Sequence, residues 1–168
     1  MRKVGIMGQG RMGEIKVELR EIGIQLVTAF FGVLGFSIVF RIRAKLLPFA
    51  AFGGVGSRAV YLCALNLGEG IFISCLLAAS LAAFYAEVFA RILKAPAALF
   101  STPAAIPLVP GSNLYYAMSY AVREQWKKAG DYGLLTAKYA LAIAAGVSLI
   151  GAFFVIAANI KEKHYREL

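Results

Sequence analysis

Long apolar stretches separated by short charged ones set the organisation of this chain. Four of them are long enough to cross a bilayer, which takes about 20 residues per helix. They lie at 22–40, 46–65, 71–90 and 133–160. A fifth stretch, 97–120, is also apolar and of spanning length, but it contains three prolines. The pattern predicts an all-α integral membrane protein, a bundle of about five transmembrane helices whose fourth is broken at a Pro-x-x-Pro-Gly motif.

The broken fourth stretch holds Pro103, Pro107 and Pro110, with Gly111 directly after the last proline. Each proline removes a backbone donor and clashes with the preceding helical turn, and glycine readily accepts a positive φ. A continuous helix through 106–111 is therefore not expected. In lipid, a broken backbone persists only where protein or a water-filled cavity satisfies the freed polar groups. The sequence thus predicts a discontinuous helix of the kind that many secondary transporters have at their substrate site.

Composition supports a membrane location and narrows the classes of partner. Of the 168 residues, 60% are hydrophobic and 16% are charged, and the mean hydropathy is +0.71. Soluble domains are nearer 45–50% apolar and 25% charged. The formal charge of +9 comes mainly from Lys and Arg beside the apolar stretches, where flanking anchors lie, so no nucleic-acid partner is expected. The two cysteines lie in separate stretches, and neither a metal site, a cofactor nor a disulfide is indicated.

The chain divides into a polar Gly-rich leader with a short amphipathic helix (1–20), a transmembrane domain (21–160) and a charged tail (161–168). In the leader, Gly8, Gly10 and Gly13 satisfy the G-x-G-x-x-G spacing of dinucleotide-binding proteins. That motif requires a βαβ unit of about 30 residues, with an acidic residue about 20 positions further on. Because an uncharged apolar run begins at residue 22, nucleotide binding is not expected.

Arg58 is the most unusual charge in the chain, because it lies near the centre of the second apolar stretch. An arginine at a helix centre costs about 2.5–3.5 kcal/mol on insertion scales, and such residues usually face a cavity, a partner or a substrate. The alternative is a short interfacial helix that leaves Arg58 among the lipid head groups. Gly53, Gly54 and Gly56 weaken the helix here, so a second broken element is also open.

Polar and aromatic residues follow the Pro-Gly step and form a dense face. We hypothesise that the new half-helix presents backbone donors to a substrate carboxylate, while Arg58 adds a bidentate contact. The alternative is that the tyrosines form an interfacial aromatic belt. The hypothetical substrate-binding set is Arg58, Gly111, Ser112, Asn113, Tyr115 and Tyr116.

Few groups in the apolar stretches could carry a proton or perform catalysis. Glu87 is one candidate proton or ion group, but Arg91 lies four residues further on, and the ordinary expectation is an ion pair on the helix surface. Asp131 also lies near a membrane edge. A proton-carrying group is therefore expected on a partner subunit. No intramembrane HExxH, Ser/His or paired-carboxylate pattern is present, so an enzyme is not expected.

The distribution of Lys and Arg does not orient the bundle. With five crossings, 8 basic residues flank the helices on the side of the N-terminus and 8 on the opposite side. The positive-inside rule therefore gives a tie. Either one segment does not cross fully, or a partner chain fixes the topology.

Several segments carry a resemblance to a known family. Residues 106–111 read IPLVPG, residues 53–58 read GGVGSR and residues 90–96 read ARILKAP. Over about 22–160 the chain resembles the threonine/serine exporter family, and more closely its small split subunit, which corresponds to the C-terminal membrane half of the fused exporters. The resemblance implies a multi-pass exporter of small hydroxylated amino acids in the bacterial inner membrane. It supplies no catalytic residues.

The resemblance also implies a partner, which is a larger membrane subunit of the same family, and further copies of this chain are a second option. Some split pairs are assigned dicarboxylates such as succinate. A dicarboxylate could use both anion contacts proposed above, whereas an amino-acid carboxylate needs only one. A different class of function stays open, namely a non-transporting assembly subunit whose Pro-Gly break only shapes a helix interface.

Overall fold

The computed structural model describes residues 19–166, and these are helical apart from the connecting turns. The predicted leader, with the Gly8, Gly10 and Gly13 motif, lies outside the described residues except at its last two positions. The six α-helices in chain order are α1 (Leu19–Val39), α2 (Leu47–Asn66), α3 (Ile71–Ile92), α4 (Ala98–Ala105), α5 (Gly111–Val122) and α6 (Trp126–Arg166).

Four of these helices, α1, α2, α3 and α6, are long and apolar enough to cross a membrane. The predicted fourth crossing consists of two short helices instead, α4 with 8 residues and α5 with 12. The predicted all-α membrane bundle is therefore confirmed, with four uninterrupted helices and one broken pair among the described residues.

Helix α2 runs without interruption from Leu47 to Asn66, so a second broken element at its glycines is not what forms. The glycines are instead places of close helix approach. A Cβ on Gly54 would overlap the Val33 side chain of α1, and one on Gly53 would lie 2.9 Å from the Tyr85 ring of α3. Small residues allow such packing in membrane helices, and the contacts formed outweigh the propensity cost of about 1 kcal/mol per glycine.

Helix α6 is longer than the predicted crossing at both ends. The helix begins at Trp126, so only a short turn separates it from α5, and it continues into the charged tail as far as Arg166. No proline interrupts this stretch, and its many Ala, Lys and Leu residues favour the helical state. With 41 residues, α6 is about 60 Å long, roughly twice the thickness of the hydrocarbon layer.

Four helices end in the same backbone motif, in which the chain turns through a left-handed residue. The N–H of the next residue then bonds back across the last turn, at 2.9–3.1 Å, as in a Schellman motif. Only one of these positions is a glycine. The left-handed residues are Arg41, Gly68, Lys94 and Glu124.

Small residues bring α3 close to its neighbours, as is common between membrane helices. Six alanines of α3 are buried: Ala78, Ala79, Ala82, Ala83, Ala86 and Ala90. On the α6 side, a Cβ on Gly146 would lie 2.8 Å from the backbone oxygen of Leu76, so the two helices meet almost backbone to backbone. Ala142, one turn before Gly146, is fully buried in the same cluster as Ala78 and Ala79.

The fold therefore has two regions of different character. We call residues 19–108 the inner region, in which α2 and α3 bury much of their surface, and residues 111–166 the terminal hairpin. In the hairpin α5 has no buried residue and packs mainly against α6. Two residues, Val109 and Pro110, join the two regions, and α6 also packs on α3.

Candidate functional site

The break in the fourth crossing lies where the prolines predict it. Helix α4 ends at Ala105, residues 106–108 form one 3₁₀ turn, and Val109 is extended with φ −64° and ψ 125°. Helix α5 begins after Pro110, at Gly111. Pro103 plays a different part from the other two prolines, since it lies inside α4 and is buried there.

The prolines leave two carbonyl groups without their nearest backbone donors. Pro107 lies three residues after Ala104 and has no N–H, and Pro110 stands in the same relation to Pro107. The N–H of Gly111, the next residue that could reach the Pro107 carbonyl, bonds to the Val109 oxygen instead, at 2.9 Å. Freed carbonyls of this kind are costly in an apolar environment unless other groups bond them.

Two consecutive side chains of α2 supply those bonds. The Ser57 hydroxyl lies 2.7 Å from the Ala104 oxygen and also within hydrogen-bond distance of the Gly54 oxygen, at 2.9 Å. The Arg58 guanidinium donates through Nη1 to the Pro107 oxygen at 3.3 Å. Ser57 is fully buried. Helix α2 therefore holds the break from one side, at two carbonyls three residues apart.

Arg58 lies at the middle of α2, as the twelfth of its 20 residues, so the predicted central position is confirmed. Its second terminal nitrogen, Nη2, donates to the Gln25 Oε1 of α1 at 2.7 Å. Its Cζ lies 5.0 Å from the centre of the Tyr61 ring. All three partners are uncharged. In the described part of the chain the only ion pair joins Arg91 to Glu87, so Arg58 carries a positive charge without a carboxylate.

A cavity of about 330 Å³ lies against Arg58, between α1, α2 and the 3₁₀ turn. Its polar side chains are Arg58, Gln25 and Thr28, and the rest of its wall is apolar. A largely apolar cavity with a few convergent polar groups is typical of a small-molecule site, and this volume is at the small end of the usual range. The lining residues are Ile24, Gln25, Thr28, Ala29, Gly32, Val33, Arg58, Ile106 and Pro107.

The structure brings together only part of the predicted substrate-binding set. Arg58 meets the break, as proposed, through Pro107. The lining of the cavity includes none of the other members, which are Gly111, Ser112, Asn113, Tyr115 and Tyr116. They lie on α5, which packs mainly against α6. The cavity thus contains one cationic contact for an anion rather than two.

Two of the three tyrosines of α5, Tyr116 and Tyr120, pack towards α6, while Tyr115 is 66% exposed. The Tyr116 and Tyr120 rings lie 5.4 and 5.5 Å from the ring of Tyr132 on α6. The Lys128 Nζ lies 5.3 Å from the centre of the Tyr120 ring. This cluster is next to the charged turn between the helices, an arrangement typical of an interfacial aromatic belt.

Glu87 and Arg91 form the predicted i,i+4 pair, with 3.9 Å between Oε2 and Nη2. The Arg91 guanidinium also lies 4.7 Å from the centre of the Phe154 ring of α6. Glu87 does not line the cavity. In the described residues no group of three or more His, Cys, Asp and Glu side chains could hold a metal ion.

Sequence reasoning missed Gln25, Ser57 and Lys138. The first two are uncharged polar residues within apolar stretches, and this unusual placement is the one feature of the sequence that could have identified them. Their roles depend on which carbonyl or cation lies opposite, and the chain separation is large: 33 residues for Gln25 and Arg58, 47 for Ser57 and Ala104. Lys138 is a second basic residue within the long helix α6, where its side chain is exposed, and it does not line the cavity.

These features define a class of protein: a multi-pass helical membrane protein with a discontinuous helix, whose break contacts an arginine at the middle of a spanning helix. A family model described as threonine/serine exporter, ThrE, matches residues 25–153. The chain belongs to the threonine/serine exporter family, and its role is exporter-type membrane transport. No solved structure matches the chain.

Proposed function

We propose that the cavity beside Arg58 binds the carboxylate of a small exported metabolite, with a threonine- or serine-type amino acid as the favoured substrate. The observation that carries this proposal is the charge of Arg58, which lies at the middle of α2 beside the cavity and has only neutral partners among the described residues. A carboxylate would compensate that charge with short, charge-assisted hydrogen bonds.

The same geometry supports an amino acid over a dicarboxylate. One guanidinium matches one carboxylate, while the Gln25 and Pro107 oxygens and the Thr28 hydroxyl are neutral acceptors for an ammonium group and a hydroxyl. A dicarboxylate such as succinate is the alternative substrate. It would need a second cationic or donor group, which could come from α5 or from another subunit.

We further propose that the chain works in the bacterial inner membrane with a larger membrane subunit of the same family. This proposal is supported by the exposure of the cavity on the side of α1, where the lining residue Ile24 is 57% exposed. A second subunit, or a further copy of this chain, would cover that side. The described residues place no carboxylate at the cavity, so a proton-coupling group would belong to the partner.

A non-transporting assembly role has one specific observation in its favour, because Arg58 bonds the freed Pro107 carbonyl. In that reading the arginine only holds the break together. The variant Arg58→Gln separates the two functions, since a glutamine amide can donate to a carbonyl but carries no positive charge.

The test is uptake and efflux of radiolabelled threonine and succinate in proteoliposomes, with and without the larger subunit. We expect Arg58→Gln to fold and to reduce transport about 10- to 100-fold, as the loss of a bond to a charged group would. Lys138→Gln, the matched control for a basic residue in a membrane helix, should transport normally. Unchanged transport in both Arg58→Gln and Asn113→Ala would favour the assembly role.

A further inference from the structure

The Arg58 guanidinium rests on the face of an aromatic ring that is itself fixed. Its Cζ lies 5.0 Å from the centre of the Tyr61 ring, one turn further along α2. A cation over a ring face is attracted by the ring quadrupole, and more strongly so where water is excluded. Tyr61 is only 5% exposed, so its ring has little room to turn away.

A residue on α6 fixes the Tyr61 ring. The Tyr61 and Tyr139 hydroxyl oxygens are 2.5 Å apart, and the two ring centres are 6.2 Å apart. Tyr139 is in turn held against α3, where the Cys75 Sγ lies 3.9 Å from its backbone oxygen. In an apolar surrounding, such a hydroxyl pair is favoured strongly because neither group has water as an alternative partner.

Helix α6 contributes no residue to the lining of the cavity, so Tyr139 reaches Arg58 through Tyr61. Helix α6 also packs against α5, where its Tyr132 ring contacts the rings of Tyr116 and Tyr120, and α5 starts at the break. These contacts connect the break to Arg58 by two routes. Arg58 bonds the break directly, at the Pro107 oxygen. The second route runs from the break along α5 to α6, and from Tyr139 of α6 through Tyr61 to Arg58.

We propose that Tyr61 and Tyr139 are positioning residues that hold the Arg58 guanidinium towards the cavity and tie its orientation to the position of α6. This inference rests on the proposed carboxylate site at Arg58. Tyr61 acts by its ring face and Tyr139 by its hydroxyl, so loss of the Tyr61 ring should have a larger effect than loss of the hydroxyl contact. Movement of α6 relative to α2 changes the tilt of the Tyr61 ring and with it the affinity of the cavity for a carboxylate.

The test measures the KM and the maximal rate of transport in the same proteoliposomes, with threonine and with succinate. Tyr61→Leu removes the ring and should raise KM about tenfold. Tyr61→Phe and Tyr139→Phe keep both rings and lose only the hydroxyl contact, so each should raise KM about threefold. In all three variants the maximal rate should change by less than about twofold, because the weakened carboxylate contact belongs to substrate binding and therefore affects KM.

Tyr85→Phe is the matched control. The Tyr85 hydroxyl donates to the Phe49 oxygen at 2.8 Å, so this variant also removes a tyrosine hydrogen bond between two membrane helices, but away from the cavity. We expect Tyr85→Phe and Tyr139→Phe to lose similar thermal stability in detergent, while only Tyr139→Phe raises KM. Equal KM values in these two isosteric variants would overturn the positioning role.

Arg58→Gln keeps this proposal and the preceding one apart. If Arg58→Gln impairs transport and the tyrosine variants leave KM unchanged, the carboxylate site stands and the positioning role is wrong. If Arg58→Gln itself transports normally, the carboxylate site is wrong, and the positioning role falls with it.

Discussion

The inner region and the terminal hairpin solve the same packing problem in different ways. In the inner region, α2 and α3 approach through glycines and alanines, and about two fifths of the residues in their most apolar parts are buried, 44% in α2 and 39% in α3. In the hairpin, α5 buries none of its residues, and the rings of Tyr116 and Tyr120 pack against the Tyr132 ring of α6. Arg58 and all lining residues of the cavity belong to the inner region.

The difference explains why the predicted site divides. The cavity lies between α1, α2 and the 3₁₀ turn, which pack against one another. The residues after Gly111 belong to a helix that presents much of its surface outwards, including Leu114, Tyr115 and Met118, which are 51%, 66% and 62% exposed. That surface is available to lipid or to another chain.

The contact between the two regions at Gly146 should be the most sensitive point of the fold. Gly146→Leu would place a side chain against the Leu76 carbonyl and the Ala79 Cβ, 2.8 and 3.0 Å from the first added carbon, and helix backbones cannot yield as side chains do. We expect a loss of about 3 kcal/mol in stability, measured as a lower Tm in detergent. Gly151→Leu on the same helix meets nothing within 4 Å and should leave the Tm unchanged or higher. Equal Tm values would show that α3 and α6 are not in close contact.

Ser57 tests whether α2 holds the break. Ser57→Ala leaves the Ala104 carbonyl without its bond from α2, and a buried unsatisfied group costs about 1–3 kcal/mol. Ser37 is the matched control, because it is also fully buried while its hydroxyl has no hydrogen-bond partner in the described residues. Ser37→Ala should therefore be neutral or slightly stabilising. The measurement is thermal unfolding of the two variants under the same conditions. A loss of stability in Ser37→Ala as large as that in Ser57→Ala would contradict the role of Ser57 in holding the break.

The aromatic cluster of the hairpin should matter less. Tyr132→Leu removes the ring that contacts both Tyr116 and Tyr120, and an aromatic pair contributes about 0.5–1.5 kcal/mol beyond its buried area. We expect a loss of about 1 kcal/mol and easier proteolysis at the turn between α5 and α6. Tyr115→Leu, which touches only one ring of the cluster, should have a smaller effect. A hairpin unaffected by Tyr132→Leu would mean that α5 is held by something other than these rings.

Glu87→Gln should have the smallest effect of all. Its partner Arg91 is 55% exposed at the side chain and the closest approach is 3.9 Å, so the pair contributes at most about 0.5 kcal/mol. Because Glu87 lies away from the cavity, transport should be unchanged from neutral to acidic pH. A transport defect in Glu87→Gln, with its fold intact, would restore Glu87 as a proton-carrying group.

Sequence alone predicted the class of fold and the location of the break, because apolar run length and proline chemistry are local signals. It also placed Arg58 at a helix centre, since the position of a charge within an apolar run can be counted. It could not assign Ser57 and Gln25, whose importance comes from carbonyls and a guanidinium that folding brings opposite them. The glycines of α2 were ambiguous for the same reason. Glycine weakens an isolated helix, and only the neighbouring Val33 and Tyr85 show that the helix holds.

The place of α5 was the hardest part to predict. From the sequence, Arg58 and the polar residues that follow Gly111 are suited to bind the same anion, because a helix N-terminus attracts anions in general. The orientation of α5 is decided by its rings and by the short turn to α6, where Glu124 takes a left-handed backbone with φ 59°. Nothing in the sequence marks that residue, because glycine is the usual occupant of such a position.

The side chains that hold the break have a kinetic consequence. A carbonyl bonded within a helix is released only when that turn unwinds, an event of the local-unfolding class that takes microseconds or longer. The Ala104 and Pro107 carbonyls are bonded by Ser57 and Arg58, so rotation about side-chain bonds is enough to free them. The fourth crossing can thus exchange its partners while every helical turn on either side stays intact.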